Sequence, residues 1–535
     1  MADVHDGIIV GGGHNALVLQ AYLCRAGLDV LLVERRDQAG GGLTTLEDPR
    51  YPGFHHNTHA FFQRAITTMP WYRDLELERH GVRYIEPELN VALLTSDHRP
   101  LEWWTDFDKT VRSFASFSRK DADSLCRWRD EFVPIVREIL SVEASSPPLA
   151  PEERRAILGR SAMGRRLLEV SELSPLEFVH REFEHPTIKA GLLFFNGLRE
   201  VDLRARGFGH HIASLLASPA KAQMSAGGSA ALARALQSAV LGAGGKIRTM
   251  VTPSRITIEH GKATGVILKG GETIRARSFV VSSLNPHQTF FDLLDESQVP
   301  PEIRDKVARF RYNLIGPLFS LNLNLREAPR YKAAAEHPEL DRAFMVILGL
   351  DHVDQYPEIV RHHELGTIPP TVMWGACPTV FDPTQAPEGC HTGFMWEKLP
   401  YRLRGDPSNW DRERDGHGRA MLKLWCRYAP NLEGAVIDSF TRSPLDLERC
   451  LVNMREGDLL VGAFTNGQVG YHRPFPGAGH YRAHLSGLYL CGASSHPGGN
   501  ITGLAGYNAA QVILADIGIA ADWPPPPVRA RLSAL

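Results

Sequence analysis

The chain has 535 residues, of which 43% are hydrophobic and 22% charged. That balance is ordinary for a globular protein, and the length exceeds what one hydrophobic core supports. Its 59 basic and 61 acidic side chains leave a net charge of -2, so there is no bulk basic excess to neutralise phosphates and nucleic acid is not expected as a partner. No apolar run of about 18 residues is present, so no transmembrane helix is predicted.

The opening segment MADVHDGIIVGGG has no basic region leading into an apolar run, so no secretory signal is expected. The expectation is a cytoplasmic protein, with peripheral membrane contact left open. Gly7–Val10 is a short apolar run ending in glycines, as in a buried parallel strand. Residues 15–26 suit a helix with Leu17, Ala21 and Cys24 on one face and Gly27 as its C-cap, and Leu28–Val33 suits a second strand. The segments 119–142 and 151–170 read as amphipathic helices separated by the Ser-Ser-Pro-Pro stretch at 145–148. A helix over 229–242 ends at Gly244-Gly245. Short strands follow at Lys246–Met250, Ser254–His260, Ala263–Lys269 and Thr273–Val281. Residues 315–325 and 343–350 read as strands of a larger mixed sheet, 487–491 as a strand and 504–517 as a helix. The prolines from Pro524 to Pro527 predict an extended tail over 521–535.

Gly11, Gly13 and Ala16 form G-x-G-x-x-A between a strand and a helix. The first glycine permits the tight turn, the second lets backbone approach a pyrophosphate, and the small third residue lets helix pack on strand. The anion then meets free N–H groups at the helix N-terminus, which places His14 and Asn15 beside it. Glu34 closes the second strand, where an acid binds ribose hydroxyls. A second glycine cluster, Gly40, Gly41 and Gly42, leads to Thr45 and brings more backbone against the diphosphate. That layout distinguishes an FAD site from a plain NAD site. Arg35 suits packing on the adenine or an exposed position, or else reading a 2′-phosphate. The seven cysteines, Cys24, Cys126, Cys377, Cys390, Cys426, Cys450 and Cys491, include no C-x-x-C pair. Dithiol–disulfide chemistry is therefore not expected.

The stretch IIVGGGHNALVLQAYLCRAGLDVLLVERRDQAGGGLTT, with Pro52-Gly53-Phe54 after it, resembles the phytoene desaturase-like flavoproteins. The closest likeness is to the branch named after pyridine nucleotide-disulfide oxidoreductase domain-containing protein 2. Ala16 stands where that branch usually has glycine. The resemblance continues through Met224–Gly228, Gly244–Val251 and Tyr471–Pro474, and through the segment from Gly487 to Ala510. It implies that Val251 clamps the adenine by its backbone. It also implies that Gly492, Ala493, Gly499, Asn500 and Ile501 close the site around the flavin. The implied architecture mixes α/β and α+β elements: the two-domain FAD-binding, Rossmann-type fold shared by amine oxidases and phytoene desaturases. The FAD-binding domain would comprise 1–70, 216–295 and 480–520, and the substrate-binding domain 71–215 and 296–479.

The resemblance implies an oxidoreductase that dehydrogenates carbon–carbon bonds of an apolar isoprenoid or alicyclic small molecule. Hydride would pass to flavin N5, and oxygen or a quinone would reoxidise the flavin. His59, His496 and Tyr507 are the candidate catalytic residues. His55, His56 and His59 suit a polar lining of the flavin pocket or a structural role, and H-H-x-x-H is not a tight metal set, so no metal is expected. His496 can carry a proton or only cap its turn, and Tyr507 can line the pocket or pack inside its helix. Two rivals share the fold. A flavin amine oxidase usually keeps an aromatic pair facing the flavin and a lysine that holds a water, and neither can be placed from sequence. A non-catalytic binding protein of the Rab GDP-dissociation inhibitor class would lack parts of the glycine loops, which are intact at both ends of this chain.

Overall fold

In the computed structural model the N-terminal apolar run becomes a strand, Asp3–Val10, parallel to Val30–Val33 on one side and to Thr273–Ser282 on the other. The structure describes residues 3–196, 201–218, 222–521, 523 and 527–535. Ile8, Ile9 and Val10 are buried because helices cover this sheet, as parallel sheets require. The sheet has seven strands. Its order is Lys246–Arg248, Val30–Val33, Asp3–Val10, Thr273–Ser282, Lys262–Leu268 and Pro253–Glu259, and Leu488–Leu490 also pairs in parallel with Thr273–Ser282. One strand from the chain's far end thus completes a sheet begun at its start.

The helix His14–Arg25 lies between two others, Ala230–Gly242 and Leu504–Asp516. A Cβ on Gly506 would fall 1.9 Å from the carbonyl oxygen of Asn15, so the last helix rests backbone to backbone on the first.

A second seven-stranded sheet runs Val436–Arg442, Leu318–Leu325, His391–Lys398, Met373–Ala376, Met345–Leu348, Leu89–Leu94, Pro100–Trp104. Its two faces follow strand alternation. Leu321, Leu323, Met373 and Met395 face a core shared with the long helix Trp410–Tyr428. Trp374, Phe394 and Trp396 face the opposite core, shared with the helices of residues 107–217.

Three expectations need correction. The segment 119–142 is helical but not uniform: Arg119–Ile135 contains Pro134 and passes into a π-helical turn, Val136–Leu140. Proline removes a backbone donor, and a widened turn accommodates that loss. The segment 151–170 is two helices, Pro151–Leu158 and Ala162–Ser171, because Ser161 caps the second by accepting from the Gly164 N–H. The tail 521–535 is not extended throughout, since Val528–Ser533 is helical. Proline forbids a helix interior but suits the residue before its first turn, where Pro527 stands. Pro524, Pro525 and Pro526 lie outside the described residues.

Candidate active site

A cavity of about 400 Å³ opens between the glycine turns of the first sheet and the second sheet. Gly13, His14, Asn15, Gly41 and Gly42 form one end of its wall, and Ala493, Asn500 and Ile501 join them from the C-terminal turn. These are the residues that sequence places at a diphosphate and a flavin, and the fold brings them together. Gly40 N–H donates to the Gly12 carbonyl at 2.6 Å, drawing the second glycine loop onto the first. A Cβ on Gly41, where φ is +60°, would lie 3.1 Å from Gly13 Cα, so only glycine allows this approach. A Cβ on Gly13 would meet nothing closer than Ser283 Oγ at 3.7 Å. The chain itself leaves that space open.

Other residues expected at the cofactor build the wall from behind and do not line this cavity. Glu34 is buried. Its Oε2 accepts from Gly12 N–H at 2.7 Å and its Oε1 from Arg36 N–H at 2.9 Å, which fixes the carboxylate at the end of its strand. Val251 N–H donates to the Glu34 carbonyl at 3.0 Å, so the two are neighbours. Gly11, with φ +89°, makes the turn, and Ala16 is fully buried in the helix. Gly492 packs on Ser283 and Gly499 on Leu460. Thr45 Oγ1 accepts from Ala230 N–H and donates to Asn57 Oδ1, tying a strand to a helix N-terminus. Arg35 is exposed and donates to the Cys450 carbonyl; its neighbour Arg36 turns back onto Gly41 O and Thr44 Oγ1.

The polar atoms around the cavity point to a missing partner. His14 Nε2, Asn15 Oδ1 and His59 Nε2 are buried without a hydrogen bond among the described residues, although nearly all buried polar groups in folded proteins are paired. Burial pushes His14 down to about 4, against a bond to the Asn500 backbone that raises it. Burial, with help from Arg442 and Arg36, holds His59 well below the ordinary histidine value. Both rings are neutral near pH 7. A bound dinucleotide cofactor fits the open cradle at Gly13, and its hydroxyl and ring N–H donors suit an unpartnered acceptor such as Asn15 Oδ1.

Comparison with known proteins agrees. Residues 9–75 match the NAD(P)-binding Rossmann-like domain. The chain is 30% identical to one of the subunits of limonene dehydrogenase from Castellaniella defragrans, over 97% of this chain and 96% of that protein. It is 28% identical to pyridine nucleotide-disulfide oxidoreductase domain-containing protein 2 of Rattus norvegicus, over 96% and 94%. It is 24% identical to a lycopene-forming phytoene desaturase of a Paracoccus species, over 95% and 97%. Among solved structures, cyclohexylamine oxidase from Brevibacterium oxydans shares the fold, with a TM-score of 0.60, 15% identity and coverage of 96% and 99%. The chain belongs to the phytoene desaturase-like family of FAD-dependent oxidoreductases. Its cofactor is FAD, and it is an enzyme rather than a binding protein on the same fold.

As a member of this family, the protein presents to the FAD side a wall that sequence reading did not foresee. Phe61, Phe62, Trp374, Trp396 and Lys398 line the cavity. Trp374 and Trp396 are cross-strand partners, so their indoles lie side by side, 5.9 Å apart and inclined at 88°. Lys398 is buried, donates to the Gly316 carbonyl at 2.7 Å, and sits 5.8 Å from the Trp374 ring centroid. Strand register alone predicts the pairing, but nothing local marks either tryptophan as other than core.

The three candidate catalytic residues separate. His59 lines the cavity, with Nδ1 2.9 Å from Thr58 Oγ1. His496 lines a second, larger hollow instead, and its Nε2 bonds the Glu143 carbonyl at 3.0 Å. Tyr507 packs against Tyr22 and Trp523, away from both cavities. His56 faces Asn324, with Nε2 2.8 Å from Oδ1. Among the described residues no helix is long and apolar enough to cross a membrane.

Proposed function

We propose that this enzyme dehydrogenates a carbon–carbon bond of an apolar alicyclic or isoprenoid small molecule. The observation that carries the reading is the apolar wall of Phe61, Phe62, Trp374 and Trp396 facing the FAD turns across one cavity. The names of the relatives, limonene dehydrogenase and phytoene desaturase, support the same substrate class. When bound, FAD supplies the two-electron acceptor for a hydride leaving carbon for flavin N5. Oxygen or a quinone then serves as the terminal acceptor. In this reading residues 1–70, 216–295 and 480–520 hold the cofactor, and 71–215 with 296–479 hold the substrate.

His59 is the proton acceptor in this scheme. With Nδ1–H donating to Thr58 Oγ1, its neutral ring presents the Nε2 lone pair, and that atom is the buried one without a partner. His496 and Tyr507 have no such access.

The amine oxidase reading is weaker. Its aromatic pair would flank an amine, whereas these indoles are mutually perpendicular, and the Lys398 ammonium is engaged by the Gly316 carbonyl.

The test is anaerobic stopped-flow reduction of the flavin with panels of alicyclic compounds, isoprenoids and amines. Bleaching by the first two is expected, slowed about 10²–10⁴-fold in His59→Asn. The rate should stay level as pH falls to 6.5 and decline only well below it, because burial keeps His59 unprotonated there. Bleaching by amines alone would overturn the reading.

A further inference from the structure

The second sheet's wall carries hydrogen-bond donors that an apolar hydrocarbon cannot use. Trp374 and Trp396 are each 3% exposed, both line the cavity, and the Nε1 of each is buried with no hydrogen-bond partner among the described residues. Buried indole N–H groups normally find an acceptor. Phenylalanine would give the same apolar surface without a donor, as Phe394 does on the same face of the same strand, its ring 4.7 Å from that of Trp396. The sheet register makes Trp374 and Trp396 direct neighbours, so the two donors belong to one small area. Lys398 stands one alternation further along the strand and adds a buried positive charge to the same wall. Indole and ammonium groups donate and cannot accept. The complementary ligand atom is therefore an acceptor with no proton of its own to place.

We propose that the substrate carries a carbonyl group, that its oxygen is held by the indole N–H groups of Trp374 and Trp396, and that dehydrogenation takes place at the carbons α and β to it. This rests on the dehydrogenase reading above and on His59 as proton acceptor. The α C–H gives its proton to His59 Nε2. The electron pair left behind forms the new π bond as the β C–H leaves as hydride, with its own pair, to the oxidised flavin. The products are the α,β-unsaturated ketone, two-electron-reduced flavin and protonated His59. While the α C–H breaks, negative charge gathers on the carbonyl oxygen, and the indole donors with Lys398 behind them stabilise that charge where it develops. Trp374 and Trp396 are thus specificity-determining residues, and Lys398 acts through the potential it sets at that wall.

The test uses the flavin-loaded enzyme and separates binding from turnover. Binding is read by titrating the enzyme anaerobically with tetramethylcyclohexanone blocked at both α carbons, which cannot be desaturated there. The comparisons are the matching alcohol and hydrocarbon, and the readouts are flavin absorbance and tryptophan fluorescence. The ketone is expected to bind about tenfold more tightly than either, with the preference gone in Trp374→Phe combined with Trp396→Phe. Either single variant, expected to show a partial loss, carries the comparison if the pair does not fold. Turnover is read by bleaching with menthone against p-menthane, and menthone is expected to bleach faster by a factor that falls in the same variants. Equal binding of ketone, alcohol and hydrocarbon, or a ketone preference untouched by the phenylalanines, overturns the proposal. Bleaching by p-menthane as fast as by menthone, in wild type and variants alike, also overturns it while leaving the dehydrogenase reading intact. Amine-only bleaching overturns the dehydrogenase reading and the α,β-dehydrogenation with it, and a tryptophan-dependent ketone preference in the titration then supports the carbonyl-binding role of the indoles alone.

Discussion

The two walls of the cavity are built by different means. On the FAD side, residues close in sequence approach through their backbones: Gly13, Gly40 and Gly41 touch because no side chain stands between them. On the substrate side, Trp374, Trp396 and Lys398 come from two strands and meet through sheet register and side-chain alternation. The first wall depends on what is absent from the residues, and the second on which large residues are present. Single substitutions should therefore act differently on the two. A side chain added to the glycine wall obstructs the cofactor without unfolding the chain, whereas a change in the facing wall alters preference among ligands.

Gly13→Val tests this most severely. Its Cβ has open space in the protein, with only Ser283 Oγ at 3.7 Å, but that space is the one the diphosphate would fill. The expected protein is folded, colourless and unable to take up added FAD, as read by visible absorbance alongside circular dichroism and thermal melting. A yellow Gly13→Val protein would break the contrast.

The same contrast explains what was legible in the sequence. The nucleotide turns, Glu34 and the closing Leu488–Leu490 strand could be located because backbone constraints leave glycines and an acid at fixed places between apolar runs. The facing wall could not, since a tryptophan in a buried strand looks like core whether or not its N–H has a partner. Lys398 was the available signal, a charged residue ending a buried strand, but its pairing with Gly316 O depends on a distant loop. His496 shows the opposite failure. It lies within the C-terminal glycine turn, yet Tyr481 OH bonds its carbonyl and Glu143 O bonds its ring, turning it to the second hollow. Nearness in sequence to a cofactor turn did not give nearness in space.

Arg473 braces the flavin-end turn and should give the next largest effect. It is fully buried, and its guanidinium donates to the carbonyls of Ala493, Gly462, Leu460 and Ala463 while lying 4.6 Å from the Phe464 ring centroid. It thereby ties the flavin-end turn to the loop carrying Leu460 and Val461, which also line the cavity. Burial pulls it down to about 10, with Asp458 opposing, so it remains charged at neutral pH. Arg473→Met strips several carbonyls of their donor and removes the buried charge that Asp458 favours. A loss of about 3–5 kcal/mol in chemical denaturation is expected, with weakened FAD as a secondary result.

Glu34→Ala should act on the FAD side alone and more modestly. It leaves the Gly12 and Arg36 N–H groups without their acceptor and removes the acid from the end of the second strand. The expected cost is about 1.5–3 kcal/mol of FAD affinity, or about 10–150-fold in Kd. With saturating FAD, the ratio of bleaching rates between alicyclic compounds should not change. A changed ratio would mean that the two walls are not independent.

The smallest effect belongs to Tyr507→Phe, and its smallness is the point. Tyr507 lies in the helix that closes the FAD side, only one residue beyond Gly506, where that helix rests on Asn15. By sequence it is a fair candidate for chemistry. In the structure its ring is buried edge-on against Tyr22 at 5.3 Å, with Trp523, itself 4.3 Å from Tyr22, at 6.4 Å. Burial and the nearby Asp74 push its hydroxyl up to about 12, so it stays protonated throughout the working pH range, and it lines neither cavity. Phenylalanine keeps the ring packing and deletes only the oxygen. Stability should change by about 1 kcal/mol or less, and the rate of flavin reduction by less than about twofold. If the rate instead drops by orders of magnitude, with FAD affinity and melting temperature unchanged, then Tyr507 reaches the reacting atoms and the cavity drawn here is not the one in which they meet.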